Sequence, residues 1–222
     1  MDANTMTNRW LTYQQERFPV FAHGPLVIVF CLAVMSFSSL QQDHELPDIA
    51  RIAGAVISTL IFFFQLRVAD EFKDFDLDSR YRPHRAVPRG LVSLDELAKL
   101  AIAGAAIQFL IAATIDIGLI PILIGIWGYI GLMMREFFVP KWLLRNPPAY
   151  LLSHMLVVPL IAFYVSTFDW LCECRDMPQG LGWLLLLSFC CGLVLEPGRK
   201  IKVPASERTG VETYSGRNPL AN

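Results

Sequence analysis

Charged side chains are scarce in this sequence. Asp, Glu, Lys and Arg together make up 18% of the 222 residues, whereas hydrophobic residues make up 54%. Soluble domains are about one quarter charged and less apolar, so the composition argues against a water-soluble globular protein. Several apolar runs approach the roughly 20 residues that a helix needs to cross a bilayer. Because lipid offers no partner to an unpaired backbone group, the composition predicts an integral membrane protein built from helices.

Basic side chains are almost absent from one side of this predicted bundle. Hydropathy predicts about six spans, which cover residues 20–40, 49–69, 97–115, 118–136, 149–168 and 180–196. With these spans, all but two of the 19 Lys and Arg residues fall on the side that carries both termini, and the exceptions are Arg51 and Arg175. Lys and Arg are enriched in cytoplasmic loops, so we expect both termini to lie in the cytoplasm.

The expected architecture is an all-α, polytopic transmembrane bundle that forms a single membrane domain over residues 1–222. Its cytoplasmic parts are an arm over residues 1–18, a loop over 67–96 and a tail over 196–222. The arm is long and polar and lacks a clear cleavage site of small residues, so we expect the first span to stay in the protein as an anchor. We expect a multi-pass protein of the bacterial inner (plasma) membrane, with the lipid bilayer around it and no nucleic-acid partner.

A charged segment follows the second span, with the sequence RVADEFKDFDLDSRYRPHRAVPRG over residues 67–90. If the helix of that span continues beyond the bilayer, spacings of four, three and four residues bring four side chains to one face; these are Arg67, Glu71, Asp74 and Asp78. Asp70 lies one position to the side. Stacked like charges destabilise a helix unless a cation neutralises them. Mg²⁺ is usually held by one or two carboxylates and by substrate phosphates, so the spacing favours a magnesium site.

Arginines come directly after these acids in the chain: Arg80, Arg82, Arg85 and Arg89. The planar guanidinium group matches the geometry of phosphate oxygens, and the prolines between these arginines favour a stiff loop over a helix. Carboxylates for Mg²⁺ beside arginines for phosphate predict a diphosphate site. The alternative is a basic cytoplasmic loop with no binding role.

The segment resembles the first acidic motif of the UbiA superfamily of membrane prenyltransferases. DEFKDFDLD, residues 70–78, is similar to the family's N-D-x-x-D-x-x-x-D, and RAVPRG, residues 85–90, is similar to its R-P-L-P-x-G. In this alignment Asp70 stands at the Asn, Glu71 at the first Asp, and Asp74 and Asp78 at the other two.

A second acidic motif is expected in the family after the sixth span. EPGRKIKVPASERTGVETYS, residues 196–215, occupies that place and is similar to a variant in which Glu replaces the leading Asp. Glu196 is the leading residue, and Glu207, Gly210 and Thr213 continue the pattern.

The resemblance implies a function and a set of site residues. Members of the family bind a polyprenyl diphosphate through Mg²⁺ and transfer the prenyl group to an acceptor, and some relatives cyclise the prenyl chain instead. The implied metal ligands are Asp70, Glu71, Asp74, Asp78, Glu196 and Glu207, of which Glu71, Asp74 and Asp78 are the catalytic acids. The implied diphosphate-binding residues are Arg80, Arg85, Arg199 and Lys200. We therefore expect a transferase of alkyl groups other than methyl, acting on an acceptor that the sequence does not specify.

Family members usually have nine spans, whereas about six are predicted here. The chain is thus expected to be a natural short form, a half that assembles with a partner or a second copy, or a non-catalytic relative that binds an isoprenoid lipid or a partner subunit. Transport of a divalent ion is a more distant alternative. Within the spans, we expect His154 and Gln108 to be neutral and hydrogen-bonded to neighbouring helices, and we expect Arg135 and Glu136 to form a local ion pair.

Overall fold

The computed structural model of the protein describes residues 3–173 and 175–200. All regular secondary structure in these residues is helical, in agreement with the predicted all-α class. Besides a short 3₁₀ helix at Glu136–Phe138, the α-helices are α1 (Ala3–Arg17), α2 (Val20–Gln41), α3 (Ile49–Tyr81), α4 (Leu94–Ile115), α5 (Leu119–Met134), α6 (Pro140–Arg145), α7 (Pro147–Met155), α8 (Val157–Thr167) and α9 (Leu181–Lys200).

Four helical segments in the described part of the chain are long and apolar enough to cross a membrane. They are α2, α3, α4 and the segment Pro147–Thr167, which comprises α7 and α8. Two further apolar helices, Leu119–Met134 and Leu181–Glu196, are shorter. The expectation of helices long and apolar enough to span a membrane is confirmed for these four, while the count of six spans stays a prediction.

α3 runs past the predicted end of its span near residue 69 and continues to Tyr81. The helix begins at Asp48, whose carboxylate accepts hydrogen bonds from the backbone N–H groups of Ala50 and Arg51. It ends at Tyr81 because Pro83 disfavours the helical conformation in the residue before it. The continuous helix confirms the condition on which the predicted acidic face depends, and it carries that face out of the apolar bundle.

The fifth predicted span is broken into two helices. α7 ends at Met155 and α8 begins at Val157. The reason is Pro159, which has no N–H to donate to the carbonyl of Met155 and whose ring crowds that carbonyl.

The predicted tight turn between the third and fourth spans is present, since Asp116 Oδ1 accepts a hydrogen bond of 2.7 Å from the backbone N–H of Gly118.

The main hydrophobic core lies between α2, α3, α5 and α8. Fully buried side chains from these helices meet there, among them Met35, Phe62, Leu123 and Tyr164. Phe62 and Tyr164 pack edge to face with their ring centroids 5.6 Å apart, an arrangement that aromatic rings favour. This core holds the first part of α3 in place and so fixes where its polar extension emerges.

A smaller core sits at one end of the bundle, which we call the charged end and define by α1, residues 70–93 and the start of α4. Its buried side chains come from α1, α3, the 82–93 loop and α4; they are Tyr13, Val68, Ala86, Val87, Val92 and Leu97. α4 begins there with a capping box, in which Ser93 and Glu96 bond to each other's backbone N–H. Together these contacts fix the loop with the predicted phosphate-binding arginines against α3.

The opposite end of the bundle also contains a buried acid. Asp169 is fully buried, and its Oδ1 accepts a hydrogen bond of 3.2 Å from the hydroxyl of Ser39. His44 Nε2 lies 3.6 Å from the other carboxylate oxygen. These contacts connect the loop after α2 to the segment after α8.

Replacement of Gly54 by alanine is expected to destabilise the bundle by about 1–3 kcal/mol, the usual cost of overpacking a core. A Cβ at Gly54 stands 2.6 Å from Cδ1 of Ile115 and 3.1 Å from a ring carbon of Phe168. Gly128→Ala is the matched control, because a Cβ at Gly128 meets nothing within 4 Å. Thermal unfolding in detergent micelles measures the difference, and equal melting temperatures for the two variants contradict the packing.

Candidate functional site

The polar extension of α3 presents its acids in three different environments. Glu71 and Asp78 are almost completely buried, with 2% of each residue exposed. Asp70 and Asp74 are partly buried, and Asp76 is exposed. Because the helix is unbroken to Tyr81, Arg67, Glu71, Asp74 and Asp78 share one face as the spacing predicted.

Asp78 is the centre of a cluster of arginines. Arg85 Nη1 donates a short hydrogen bond to Oδ2, Arg82 Nη1 lies 3.2 Å from Oδ1, and Arg17 Nη2 lies 3.9 Å from Oδ2. Burial lowers the pKa of Arg85, and the neighbouring cations Arg17 and Arg82 lower it further although Asp78 opposes the shift. Three guanidinium groups therefore crowd around one carboxylate, and we call Asp78 with Arg17, Arg82 and Arg85 the arginine cluster.

Arg17 joins the arginine cluster from the last turn of α1. Its Nε donates to Oε1 of Glu71, which is buried, while the Arg17 side chain is mostly buried. Two more ion pairs hold α1 in place: Arg89 Nη2 lies 2.8 Å from Glu16, and Arg9 Nη2 lies 2.7 Å from Glu96. α1 thus contributes one cation to the acidic face of α3.

Arg17 was not among the predicted site residues, because it lies 54 residues before Glu71 in the chain. The available signal was the spacing of Trp10, Tyr13 and Arg17, which repeat at three and four residues and so share a helix face. Tyr13 on this face is buried, and burial followed by the charge of Glu71 raises its pKa. Arg82, one of the four arginines predicted to suit phosphate but not among the residues that the family resemblance implied, also contacts Asp78.

Asp74 lies beside the arginine cluster, and its pKa is raised. Burial raises the pKa of Asp74, and the nearby carboxylate of Asp78 raises it further, while Lys73, Arg82 and Arg85 act in the opposite direction. A carboxyl group whose pKa is raised by burial and by a neighbouring carboxylate is one that a nearby divalent cation would return to its ionised form.

The carboxylates of this region suit Mg²⁺ only if substrate phosphates supply the remaining ligands. In the ranges that the structure describes, no three His, Cys, Asp or Glu side chains are arranged to hold a metal by themselves. Asp74 and Asp78 could supply two oxygen ligands, the number that Mg²⁺ takes when phosphate oxygens and water fill the rest of its octahedron. These two aspartates would hold the ion.

The other predicted site residues lie apart from this cluster or outside the described residues. Arg80 is exposed and Glu196 is partly buried near the end of α9. Glu207 and the side chains of Arg199 and Lys200 lie outside what the structure describes, so the approach of the second motif to the first stays a prediction. Asp70 contacts Arg67 at 3.6 Å and lines a cavity with Lys73 and His154.

The two polar side chains predicted within the spans are both hydrogen-bonded to other helices. Gln108 is fully buried, and its amide nitrogen donates to the carbonyl of Ser58 at 2.9 Å. Its Oε1 accepts from Gln65 and from the indole of Trp127, at 3.1 and 3.0 Å. This network joins α3, α4 and α5 and is structural.

Glu136 pairs with residues far away in the chain. The expected ion pair with Arg135 is replaced by one with Lys73 of α3, and His154 of α7 lies 3.5 Å from the second carboxylate oxygen of Glu136. The left-handed backbone at Glu136 turns this side chain back towards α3. His154 therefore belongs to a charged cluster.

The resemblance to the UbiA superfamily rests on the motif residues, and the arginine cluster is a feature of this chain's own geometry. Comparisons with family models, with curated proteins and with solved structures return no match for this chain.

Proposed function

We propose that the protein is a Mg²⁺-dependent membrane prenyltransferase of the UbiA type, which ionises a polyprenyl diphosphate and transfers the prenyl group to an acceptor or cyclises it. The observation that carries the proposal is the arginine cluster beside Asp74. Arginines from α1 and from the loop after α3 converge on one buried carboxylate. A second carboxylate with a raised pKa lies next to it. Cations and acids in this combination suit a bound metal diphosphate.

The chemistry follows from the charges. Arginine binds phosphate oxygens through paired N–H groups, so Arg17, Arg82 and Arg85 are suited to bind a diphosphate close to Asp78. Mg²⁺, when bound by Asp74 and Asp78, supplies a Lewis acid that neutralises the leaving diphosphate. The guanidinium groups stabilise the same negative charge as it develops, an effect that is strongest in a site shielded from water.

The membrane arrangement is part of the proposal. α5 and the apolar part of α9 are taken as two further spans, which makes six. The charged end faces the cytoplasm of a bacterial inner membrane, since that is where most Lys and Arg residues lie. The apolar helices then surround the prenyl chain, and a partner subunit or a second copy completes the bundle if six spans do not enclose it.

A non-catalytic role is the second candidate, and one observation favours it. Glu71 and Asp78 are already neutralised by arginines without any ligand, as in a purely structural ion network. In this case the protein binds an isoprenoid lipid or a partner subunit without cleaving a diphosphate. Measurement of diphosphate release separates the two candidates.

Purified protein given geranylgeranyl diphosphate and Mg²⁺ is expected to release inorganic diphosphate, and chelation of Mg²⁺ is expected to stop the release. Asp74→Asn should slow it at least about 100-fold, the usual loss when an electrostatic group at the reacting centre is removed. Asp76→Asn, on an exposed position of the same helix, is the matched control. Equal release by both variants rejects the site, and no release by folded wild-type protein with donors of several chain lengths favours the non-catalytic role.

The pH dependence of Mg²⁺ binding is a further readout of the same site. The pKa of Asp74 is raised by burial and by Asp78, so this carboxyl keeps its proton up to a higher pH than an ordinary aspartate. Because Mg²⁺ binds the ionised form, its affinity should begin to fall at a correspondingly higher pH as the solution is acidified. Calorimetric titration of Mg²⁺ in the presence of inorganic diphosphate measures this.

A further inference from the structure

The connection between α5 and α7 carries large apolar side chains on its surface. It contains the 3₁₀ helix and α6, and we call residues 135–146 the α5–α7 connection. Phe138, Val139, Trp142 and Leu144 in it are between 45% and 71% exposed. Single exposed apolar residues are common on proteins, whereas a contiguous group of them marks a contact with a membrane or with another protein. Four such residues within seven positions therefore require a partner.

The fold holds these side chains on the outside. Leu143 is 3% exposed and fixes the inner face of α6 against the protein. Phe137 packs its ring edge to face against those of Tyr129 and His154, with centroids 5.6 and 5.9 Å apart, whereas its neighbour Phe138 is exposed. The apolar patch is thus part of an anchored segment with a buried side of its own.

Cations alternate with the apolar residues of this segment. Arg135, Lys141 and Arg145 are all exposed. Glu136, the one acid in residues 135–146, forms its ion pair with Lys73 of α3. Among the residues that the structure describes, none of the three cations has an ion-pair partner. Lys141 and Arg145, four positions apart, also share one face of α6.

The basic side chains of the charged end differ in this respect. Arg85 is paired with Asp78, and Arg89 is paired with Glu16. The protein thus supplies carboxylates for most cations near α1 and the 82–93 loop. It supplies none for the cations of the α5–α7 connection in the described part of the chain, so these are left for anions outside the protein.

The ion pair between Lys73 and Glu136 places this segment at the depth of lipid headgroups. It sets the α5–α7 connection level with residue 73 of α3, four residues beyond the predicted end of the span near residue 69. Four helical residues rise about 6 Å, and the polar headgroup layer is roughly 5–7 Å thick on each side of a bilayer. The apolar crossing segment Pro147–Thr167 also begins directly after residue 146.

Side chains of these types suit that depth. Tryptophan is enriched at the boundary between lipid and water, and interfacial segments combine Trp, Phe and Leu towards the acyl chains with Lys and Arg towards the headgroups. Basic residues at a membrane surface are attracted by anionic lipids. A second copy of the chain suits this surface less well, because a symmetric contact brings the same patch from both copies together and so opposes like charges.

We propose that the α5–α7 connection is a docking site for an anionic phospholipid. Lys141 and Arg145 bind the phosphate of the headgroup, and Phe138, Trp142 and Leu144 contact the upper part of the acyl chains. The proposal depends on the membrane arrangement and not on prenyl transfer, so it holds for the non-catalytic candidate as well. Phosphatidylglycerol is the probe, since its headgroup carries a net negative charge, whereas that of phosphatidylcholine is neutral.

The test measures quenching of tryptophan fluorescence by brominated lipid in vesicles that contain the full chain. The vesicles are phosphatidylcholine with an increasing fraction of either brominated phosphatidylglycerol or brominated phosphatidylcholine. Because the chain has five tryptophans, the quenching that is lost in Trp142→Phe gives the signal of the α5–α7 connection. Brominated phosphatidylglycerol is expected to quench this signal at a lower fraction than brominated phosphatidylcholine.

Removal of the cations is expected to abolish the preference. Each basic residue near an anionic surface contributes a factor of roughly five, so Lys141→Gln together with Arg145→Gln should lower the preference for phosphatidylglycerol about 25-fold. Lys99→Gln is the matched control, because Lys99 is exposed but pairs with Asp95, and it should keep the preference. High salt should weaken the preference of the wild type without any substitution.

Three results overturn the proposal. The first is equal quenching of Trp142 by the two lipids in wild-type protein, which shows that the headgroup is not recognised. The second is no quenching of Trp142 by either lipid, which shows that water or another protein covers the segment. The third is a loss of preference in Lys99→Gln as large as in the double variant, which assigns the preference to the overall charge of the protein.

Discussion

Asp78→Asn is expected to lower the free energy of unfolding by about 3 kcal/mol, the order of loss when one partner of a buried ion pair is removed. Asp78 is the carboxylate shared by Arg17, Arg82 and Arg85, and its side chain is only 3% exposed. Asparagine keeps the shape but removes the negative charge. Arg17 then keeps its ion pair with Glu71, whereas Arg82 and Arg85 lose the carboxylate that they share.

The same variant is expected to regain stability when inorganic diphosphate is added without Mg²⁺. The anion takes over the role of the lost carboxylate among the three arginines, and a ligand that binds only the folded state raises the melting temperature. Thermal unfolding in micelles, with chloride at matched ionic strength as the comparison, gives the measurement. The control Asp76→Asn should neither lose stability nor gain it with diphosphate. If the melting temperature of Asp78→Asn does not rise with diphosphate, these arginines are purely structural.

Glu71→Gln is expected to release α1 from the bundle and to speed tryptic cleavage after Arg17 by roughly 100-fold. Glu71 and Arg17 form a buried ion pair, and about 3 kcal/mol for its disruption corresponds to a factor of about 100 in the population of the open form. The protease acts on that open form when reclosing is fast. Once Arg17 is free, the arginine cluster also loses one of its cations.

Glu16→Gln is the control for this experiment, because the Glu16–Arg89 pair is about one third exposed on each side and such pairs contribute at most about 1 kcal/mol. Cleavage sites are read by mass spectrometry. Equal cleavage rates for Glu71→Gln and Glu16→Gln contradict the anchoring of α1 through its last turn.

The features that the sequence predicted correctly depend on residues close together in the chain. The one-face arrangement of Glu71, Asp74 and Asp78 follows from the period of the helix. The end of α3 follows from Pro83, and the turn between α4 and α5 follows from the short contact between Asp116 and Gly118. The interruption between α7 and α8 at Leu156 follows from Pro159 by the same kind of local argument, and the span predicted there corresponds to the apolar segment Pro147–Thr167.

Contacts between distant segments could not be predicted in this way. Arg17 reaches Glu71 across 54 residues, and a charged arm with no fixed distance to α3 offers no local signal of its partner. An ion pair between Glu136 and Arg135 was predicted because the two residues are neighbours in the chain, and a sequence shows no other kind of proximity. In the structure Glu136 contacts Lys73 and His154 instead, in a segment whose backbone is left-handed at residues 136–138.

The sequence by itself determined the apolar, all-helical character of the chain, the acidic face of α3 and the presence of arginines after it, since composition and helical period are local properties. Tertiary structure alone decided which cations meet which acids. Packing of α1 and of the 82–93 loop around one small core brings three arginines to Asp78, and the strained turn after α5 brings Glu136 to the other side of the helix. Because these charges are buried, they interact far more strongly with each other than the charges of an exposed basic loop do in water.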